Sequence, residues 1–128
     1  MSSPPRPGYA RVRFDEAAWA EDLARARPEA RSAARQTREE LERTGQLVAD
    51  LKPCLPEAPD GTRLPGCTKA YVPSPDGPWG LVYRVAVDET GAFLAHLAYG
   101  LRHPPAESRQ PSVYAVADRR LGDPGTGR

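Results

Sequence analysis

The sequence predicts an α+β domain in which an N-terminal strand and a helical hairpin pack on a small antiparallel sheet, followed by a short C-terminal helix. Apolar residues recur at helical spacing through the first part of the chain, at residues 16–44. Residues 67–99 instead alternate apolar and polar side chains, and turns rich in Pro, Gly and Asp divide them. Helices that precede a run of strands are typical of α+β folds. A length of 128 residues fits one domain, which we place at 9–121, between disordered tails at 1–8 and 122–128.

The first half of the chain predicts one short strand and two helices. Residues 9–14 alternate apolar and polar side chains and form the strand. Asp15 then stands where an N-cap is expected for a helix over 16–27. Pro28 ends that helix and opens a second one over 29–44, which is rich in Ala, Arg and Glu. Because the buried side of the second helix is small, we expect the two helices to form a close antiparallel hairpin.

The second half of the chain predicts the sheet. Residues 45–66 hold a short apolar piece and a Pro-rich connector, for which an ordered surface crossing is favoured over a functional loop. A turn at 88–91 implies an antiparallel hairpin between its flanking strands. Ser112 stands where it can cap a last short helix over 113–121. The three predicted strands lie at residues 67–72, 79–87 and 92–99.

Composition limits the classes of function. The formal net charge is +1, which gives no global signal for nucleic-acid binding but leaves room for a local basic cleft. The chain has no apolar run approaching the roughly 18 residues of a membrane span and no apolar segment suited to a signal peptide, so we expect a cytoplasmic protein with no membrane partner. Cys54 and Cys67 show no metal-ligand spacing with each other or with the histidines. We expect two free thiols, a disulfide being the less favoured alternative, and no cofactor.

Several short motifs follow one another in a fixed order in the C-terminal half. They are Leu64-Pro-Gly66, Cys67-Thr-Lys69, Trp79-Gly-Leu-Val-Tyr-Arg-Val85, Tyr99-Gly-Leu-Arg102 and Ser112-Val-Tyr114. In this order, and with the strand and helical pair that precede them, the chain resembles the RelE/ParE superfamily of bacterial toxins over residues 9–121. The resemblance implies a RelE-like toxin of a type II toxin–antitoxin system, which cleaves mRNA in the ribosomal A site without a metal ion. It also implies an antitoxin protein, the ribosome and mRNA as partners.

The resemblance assigns catalytic roles to three residues. Lys69 matches the basic residue of the second strand, Arg102 the arginine after the last-strand glycine, and Tyr114 the tyrosine of the C-terminal segment. Cleavage by a 2′-hydroxyl needs a group to take its proton, cations near the phosphate and a donor for the leaving oxygen. We expect paired strands to bring Lys69 and Arg102 side by side in a small cationic pocket. Residues 71, 84 and 103 complete the candidate site as RNA-binding positions, namely Tyr71, Arg84 and His103.

Two positions depart from the pattern of the nuclease branch. Gly80 stands where an arginine is usual, and Tyr71 occupies a second basic position. Arg84 shares a strand face with Gly80, but four residues span about 13 Å, so it is a poor replacement. A non-enzymatic ParE-like gyrase inhibitor, a protein that only binds its antitoxin and an inactive relative therefore remain alternatives. The candidate residues also have ordinary structural readings, as an exposed strand lysine, an ion-paired arginine and a packed tyrosine.

Overall fold

The computed structural model describes residues 11–44, 51–59 and 61–122. It confirms the α+β class that the sequence predicts. The predicted tails and most of the apolar piece before the connector lie outside the described residues. The elements, in chain order, are β1 (Arg11–Arg13), α1 (Glu16–Arg25), α2 (Pro28–Thr44), β2 (Lys52–Pro53), β3 (Cys67–Val72), β4 (Trp79–Asp88), β5 (Gly91–Leu101), a 3-10 helix (Ala106–Ser108) and α3 (Val113–Gly122).

The five strands form one mixed sheet in the order β1-β5-β4-β3-β2. The strands from β2 to β5 pair antiparallel, and the hairpin of β4 with β5 is the one that the turn at 88–91 predicts. The N-terminal strand adds a parallel edge, with Arg11 opposite Phe93 on β5. A parallel neighbour is reached only by a long crossover, which the elements between β1 and β5 provide. The periodicity of a strand of three residues carries no information about its direction, so the sequence did not reveal this edge.

Local capping signals place both helices of the hairpin. The carboxylate of Asp15 accepts a hydrogen bond from the backbone N–H of Ala18 at 3.0 Å, so the predicted N-cap is confirmed. The second helix begins at Pro28, as expected from the missing N–H of proline. The hairpin is antiparallel because Arg38, late in α2, contacts Glu16 at the start of α1 at 2.7 Å.

Apolar side chains fill two cores, one on each face of the sheet. The hairpin face carries α1 and α2, whose Trp19, Ala30 and Ala34 are buried against β3, β4 and β5. The other face, here called the α3 face, carries α3 and part of the connector. Alternation along β3 directs Ala70 toward the hairpin, and it therefore directs its neighbours on either side toward the α3 face.

The connector crosses the surface in an ordered way over its described residues. Leu64 is buried in the core of the α3 face, and the backbone N–H of Leu64 donates to the carbonyl of Pro56 at 3.1 Å. Its first residues form β2, a strand that the sequence analysis missed because two residues that include a proline give no periodic signal. Within the described ranges, every helix is too short or too polar to cross a membrane.

The outer edge of β5 is covered by side chains where β1 ends. β1 pairs only with residues 93–95 of β5. Beyond that segment, the carboxylate of Asp22 accepts a hydrogen bond from the backbone N–H of Tyr99 at 2.9 Å. The guanidinium of Arg120 donates to the carbonyl of Leu97 at 2.8 Å. An uncovered strand edge can pair with another chain, so these two side chains protect the sheet as well as joining α1 to α3.

Candidate functional site

A cavity of about 330 Å³ opens on the α3 face, between the connector, β3 and the start of α3. Its apolar part comes mainly from the connector, and its polar part includes four of the six residues that the sequence analysis selected. The lining residues are Cys54, Leu55, Ala58, Pro59, Thr62, Leu64, Lys69, Tyr71, His103 and Tyr114. The structure therefore brings together residues that lie far apart along the chain.

Lys69 and Tyr114 meet across the cavity. Lys69 lies on β3, and the Nζ atom of Lys69 lies 4.9 Å from the ring centroid of Tyr114. Tyr114 is held by the first turn of α3, where the hydroxyl of Ser112 accepts a hydrogen bond from the N–H of Ala115 at 3.1 Å. The predicted Ser112 cap is thus confirmed, and it fixes the aromatic ring relative to the strand.

Arg102 and Tyr71 form the second contact of the site. The guanidinium carbon of Arg102 lies 3.9 Å from the ring centroid of Tyr71. Tyr71 is directly opposite Gly80 in the pairing of β3 with β4. The backbone N–H of Arg102 donates to the carbonyl of Pro78 at 2.8 Å, which ties the end of β5 to the turn before β4. Lys69 and Arg102 are therefore on the same face of the sheet, with the ring of Tyr71 near both. The expectation that their strands pair directly is wrong, because β4 lies between β3 and β5 and the Arg102 side chain crosses it.

A third cation belongs to the site, although the sequence analysis did not select it. Lys52 is paired with Lys69 in the short ladder of β2 with β3. The Nζ atom of Lys52 lies 5.1 Å from the ring centroid of Tyr71. Its signal in the sequence is only that it is one of the two lysines in the chain. We name these residues the cationic tyrosine cluster: Lys52, Lys69, Tyr71, Arg102 and Tyr114.

The cationic tyrosine cluster carries uncompensated positive charge. Among the residues that the structure describes, none of its three cations has a carboxylate salt-bridge partner. Cation–π contacts at partly exposed sites contribute about 0.5–1 kcal/mol each, so they orient the side chains without neutralising them. The ring of Tyr71 is 43% exposed and remains accessible to a ligand. Cations for phosphate and tyrosine rings for bases suit a nucleic-acid ligand.

The thiols near the cavity are not nucleophiles. Burial raises the pKa of the Cys67 thiol to about 11, and the neighbouring Cys54 adds to the shift. Burial also raises the pKa of Cys54, against the opposing charge of Lys69. With these raised pKa values, both side chains stay protonated at neutral pH. Because the thiolate is the reactive form, neither thiol is activated for nucleophilic attack. Both cysteines are free, as expected.

Arg84 does not join the cationic tyrosine cluster. It lies on the α3 face of β4, opposite Cys67 and Ala95, and it lines a separate groove of about 190 Å³. Arg13 and Phe93 lie in the same groove, where the guanidinium carbon of Arg13 is 4.2 Å from the ring centroid of Phe93. The structure thus agrees with the expectation that Arg84 is too far away to replace a charge at Gly80.

The third group of polar residues is a buried network between α1, β5 and α3. Nε2 of His96 lies 3.1 Å from the carboxylate of Asp22, and Arg120 contacts the same carboxylate at 2.8 Å. Burial alone would lower the pKa of Arg120, but the hydrogen bond and charge of Asp22, with the charge of Glu21, raise it. In the described part of the chain, no serine or cysteine is hydrogen-bonded to His96. The network therefore stabilises the fold and is not a catalytic triad.

The described residues do not form a metal centre. The resemblance to the RelE/ParE superfamily rests on the sequence motifs alone, because comparison with known proteins adds no match. Over the ranges that are described, no group of three or more His, Cys, Asp or Glu side chains is placed to hold a metal ion. Comparison of this chain with protein-family models, with curated proteins and with solved structures finds no significant match.

Proposed function

We propose that this protein is a RelE-like toxin that binds single-stranded mRNA at the cationic tyrosine cluster and cleaves it without a metal ion. The observation that carries the proposal is that Lys69 and Tyr114 line one cavity together, while Arg102 packs on Tyr71, which lines the same cavity; neither cation has a carboxylate partner among the described residues. These are the three residues to which the family resemblance assigns catalysis. Their placement on one face of the sheet supports the proposal.

The positive charges act on the phosphate. Negative charge gathers on the phosphate oxygens in the transition state, and fixed cations stabilise it more than they stabilise the ground state. Lys69 extends from a strand inside the sheet, and Arg102 is held at the end of β5, so both are preorganised. The exposed ring of Tyr71 and the ring of Tyr114 offer surfaces on which bases adjacent to the scissile phosphate can stack.

Proton transfer completes the reaction. The ribose 2′-oxygen forms a bond to the adjacent phosphorus, the bond from phosphorus to the 5′-oxygen breaks, and the 2′-hydroxyl proton passes to a base. The departing 5′-oxygen takes a proton from an acid, which leaves a 2′,3′-cyclic phosphate and a 5′-hydroxyl. His103 and Tyr114 both line the cavity and carry groups that can exchange a proton, so we assign them to these two steps.

The proposed partners and compartment follow from the substrate. A toxin that cleaves translated mRNA acts in the ribosomal A site and is restrained by an antitoxin protein. We therefore propose a cytoplasmic location.

The experiment that tests this proposal is expression of the full chain in a bacterial host, with mapping of mRNA 5′ ends by primer extension. The expected result is growth arrest with new ends inside coding regions, each carrying a 5′-hydroxyl. Lys69→Ala and Arg102→Ala are expected to lower cleavage by about 100-fold or more, the typical effect of losing one transition-state contact. The matched control is Arg35→Ala, which removes one charge from the exposed side of α2. Growth arrest without new mRNA ends would refute the nuclease.

A ParE-like gyrase inhibitor is the second candidate function. Gly80 and Tyr71 favour it because neither supplies the positive charge found at these positions in the nuclease branch. Its test is supercoiling by purified gyrase with an excess of the protein. Inhibition that persists in Lys69→Ala would support this candidate, and unaffected supercoiling would eliminate it.

A further inference from the structure

Gly80 lies directly beneath the side chain of Arg102. A Cβ atom built on Gly80 would be 3.0 Å from Cγ and 3.1 Å from Cδ of Arg102. Both distances are shorter than most Cβ contacts in folded proteins, so the Arg102 side chain would have to move by a few tenths of an ångström to admit a methyl group. Gly80 has no positive φ angle, so its backbone does not require glycine. The absence of a side chain therefore leaves room for Arg102 and is not required by the backbone of the strand.

The side chain of Arg102 passes over Gly80, and it extends from the end of β5 across β4 to β3. Gly80 pairs with Gly100 on one side and with Tyr71 on the other, so the three positions form one row across the sheet. Arg102 follows Gly100 by two residues and therefore projects from the same face. The aliphatic part of the Arg102 side chain, here called the stem, lies against Gly80 in this row, and among the described residues its buried Nε atom has no hydrogen-bond partner. The guanidinium then reaches the ring of Tyr71.

We infer that Gly80 is a positioning residue for the proposed RNA site. The space left by its missing side chain, here called the slot, lets the Arg102 side chain cross the sheet and hold its guanidinium over Tyr71. The inference rests on the proposed function and deepens it. A guanidinium is a planar fork that binds two oxygens of one phosphate, whereas an ammonium group is a point charge. Arg102 thus brings to β4 and β3 the positive charge that Gly80 and Tyr71 do not carry. The ligand chemistry that this arrangement fits is a phosphodiester with a base stacked beside it.

Gly100 provides a matched control within the same row. A Cβ atom built on Gly100 would lie 3.5 Å from the Cβ atom of Val113, an ordinary contact, and Gly100 has no positive φ angle. Gly100→Ala and Gly80→Ala therefore add the same methyl group to neighbouring strands on the same face. They differ in whether that methyl group meets the Arg102 stem.

The first experiment observes Arg102 directly by NMR of the full chain labelled with ¹⁵N. The ring of Tyr71 is expected to shift the side-chain Nε–H signal of Arg102, which is assigned from its absence in Arg102→Lys. Gly80→Ala and Tyr71→Leu are expected to abolish that ring-current shift, and Gly100→Ala to retain it. A shift that persists in Gly80→Ala overturns the inference.

The second experiment measures binding of a fluorescein-labelled single-stranded RNA of about ten nucleotides. Gly80→Ala and Arg102→Ala are each expected to weaken binding by about tenfold, the loss typical of a charge-assisted contact. The double variant Gly80→Ala/Arg102→Ala is expected to bind as Arg102→Ala does, because the slot has no purpose once the stem is gone. A double variant that binds a further tenfold more weakly shows independent roles and overturns the inference.

The two experiments separate failure of the inference from failure of the proposed function. Absence of RNA binding by the unchanged protein, together with an Arg102 signal that depends on Gly80, rejects the RNA site and supports the slot. If Gly80→Ala alone does not fold, the folding of the double variant Gly80→Ala/Arg102→Ala tests the inference instead. Recovery of folded protein on removal of the Arg102 stem supports the slot, and continued failure to fold overturns it.

Discussion

The buried carboxylate of Asp22 gives the most demanding test of what stabilises the fold. Asp22 is only 2% exposed, and it contacts Arg120, His96 and the backbone N–H of Tyr99. Asp22→Asn keeps the size of the side chain but removes its charge. The amide oxygen can still accept from the N–H of Tyr99, but the NH₂ group then takes the position of the oxygen that Arg120 contacts at 2.8 Å, and it faces the donors of that guanidinium. The variant therefore leaves a buried guanidinium without its main counter-charge.

The expected loss of free energy of unfolding depends on how far the remaining partners of Arg120 offset its buried positive charge. Removing one partner of a buried ion pair costs about 3–5 kcal/mol. Arg120 keeps its hydrogen bond to the carbonyl of Leu97 and a contact of 3.5 Å with Glu21. Because the side chain of Glu21 is 55% exposed, its charge is screened and offsets little. We expect Asp22→Asn to lower the free energy of unfolding by about 3 kcal/mol, and Tm by on the order of 10 °C.

The measurement is urea unfolding at neutral pH, followed by a thermal melt of the same variants. The urea midpoint is expected to fall without a change in the m-value, since the native fold is retained. Glu21→Gln is the matched control and is expected to change the free energy of unfolding by no more than about 0.5 kcal/mol. Replacing both Asp22 and Arg120 by apolar residues is expected to cost less than Asp22→Asn alone. A loss below about 1 kcal/mol for Asp22→Asn would refute the reasoning.

The remaining predictions concern acid stability, thiol reactivity and helix capping. The hydrogen bond from Arg11, with that from Thr90, holds the pKa of Asp88 well below the usual carboxyl range, so its contribution is complete above about pH 3.9 and is lost as the pH falls further. Asp88→Asn is expected to flatten the fall of the urea midpoint in acid, and an unchanged pH profile would contradict this. Because burial raises the pKa of Cys67 to about 11, Ellman's reagent is expected to react far more slowly with the native protein than with the urea-unfolded chain, and equal rates would count against burial. Asp15→Ala is expected to destabilise α1 by about 1 kcal/mol in urea unfolding, whereas Asp15→Asn retains most of the cap, and equal losses would show that Asp15 acts otherwise.

The sequence predicts those parts of the fold that depend on neighbouring residues. Asp15, Pro28 and Ser112 each act within one helical turn, and the structure places all three where the capping rules expect them. The strand at residues 67–72 has the predicted bounds, because its alternation and its flanking turns are both visible in the sequence. The helical hairpin follows for the same reason, since a proline and two amphipathic segments are enough to define it.

Contacts between distant residues explain what the sequence does not predict. Asp22 and Arg120 are separated by 98 positions, and no feature of the local sequence distinguishes either of them from the exposed acids and arginines around it. Lys52 joins the cationic tyrosine cluster only because a strand of two residues pairs with β3. The parallel direction of β1 depends in the same way on a partner about 80 residues away. In each case a long-range pairing decides the outcome, and local periodicity cannot report it.

Gly80 shows why the composition of a site cannot be judged from one strand at a time. Considered along β4 alone, Gly80 lacks the positive charge that is usual at this position, which weakens the prediction of an RNA site. Across the sheet it is the opening through which Arg102 reaches Tyr71, so the same residue supports a cation at that place. Tyr71 is 43% exposed and belongs to neither core. The buried network of Asp22 and Arg120, by contrast, holds β5 to both helical layers. Because the proposed RNA site and the buried network use separate residues, Tyr71→Leu is expected to weaken RNA binding at that site in a protein that still folds, so binding and stability can be measured apart.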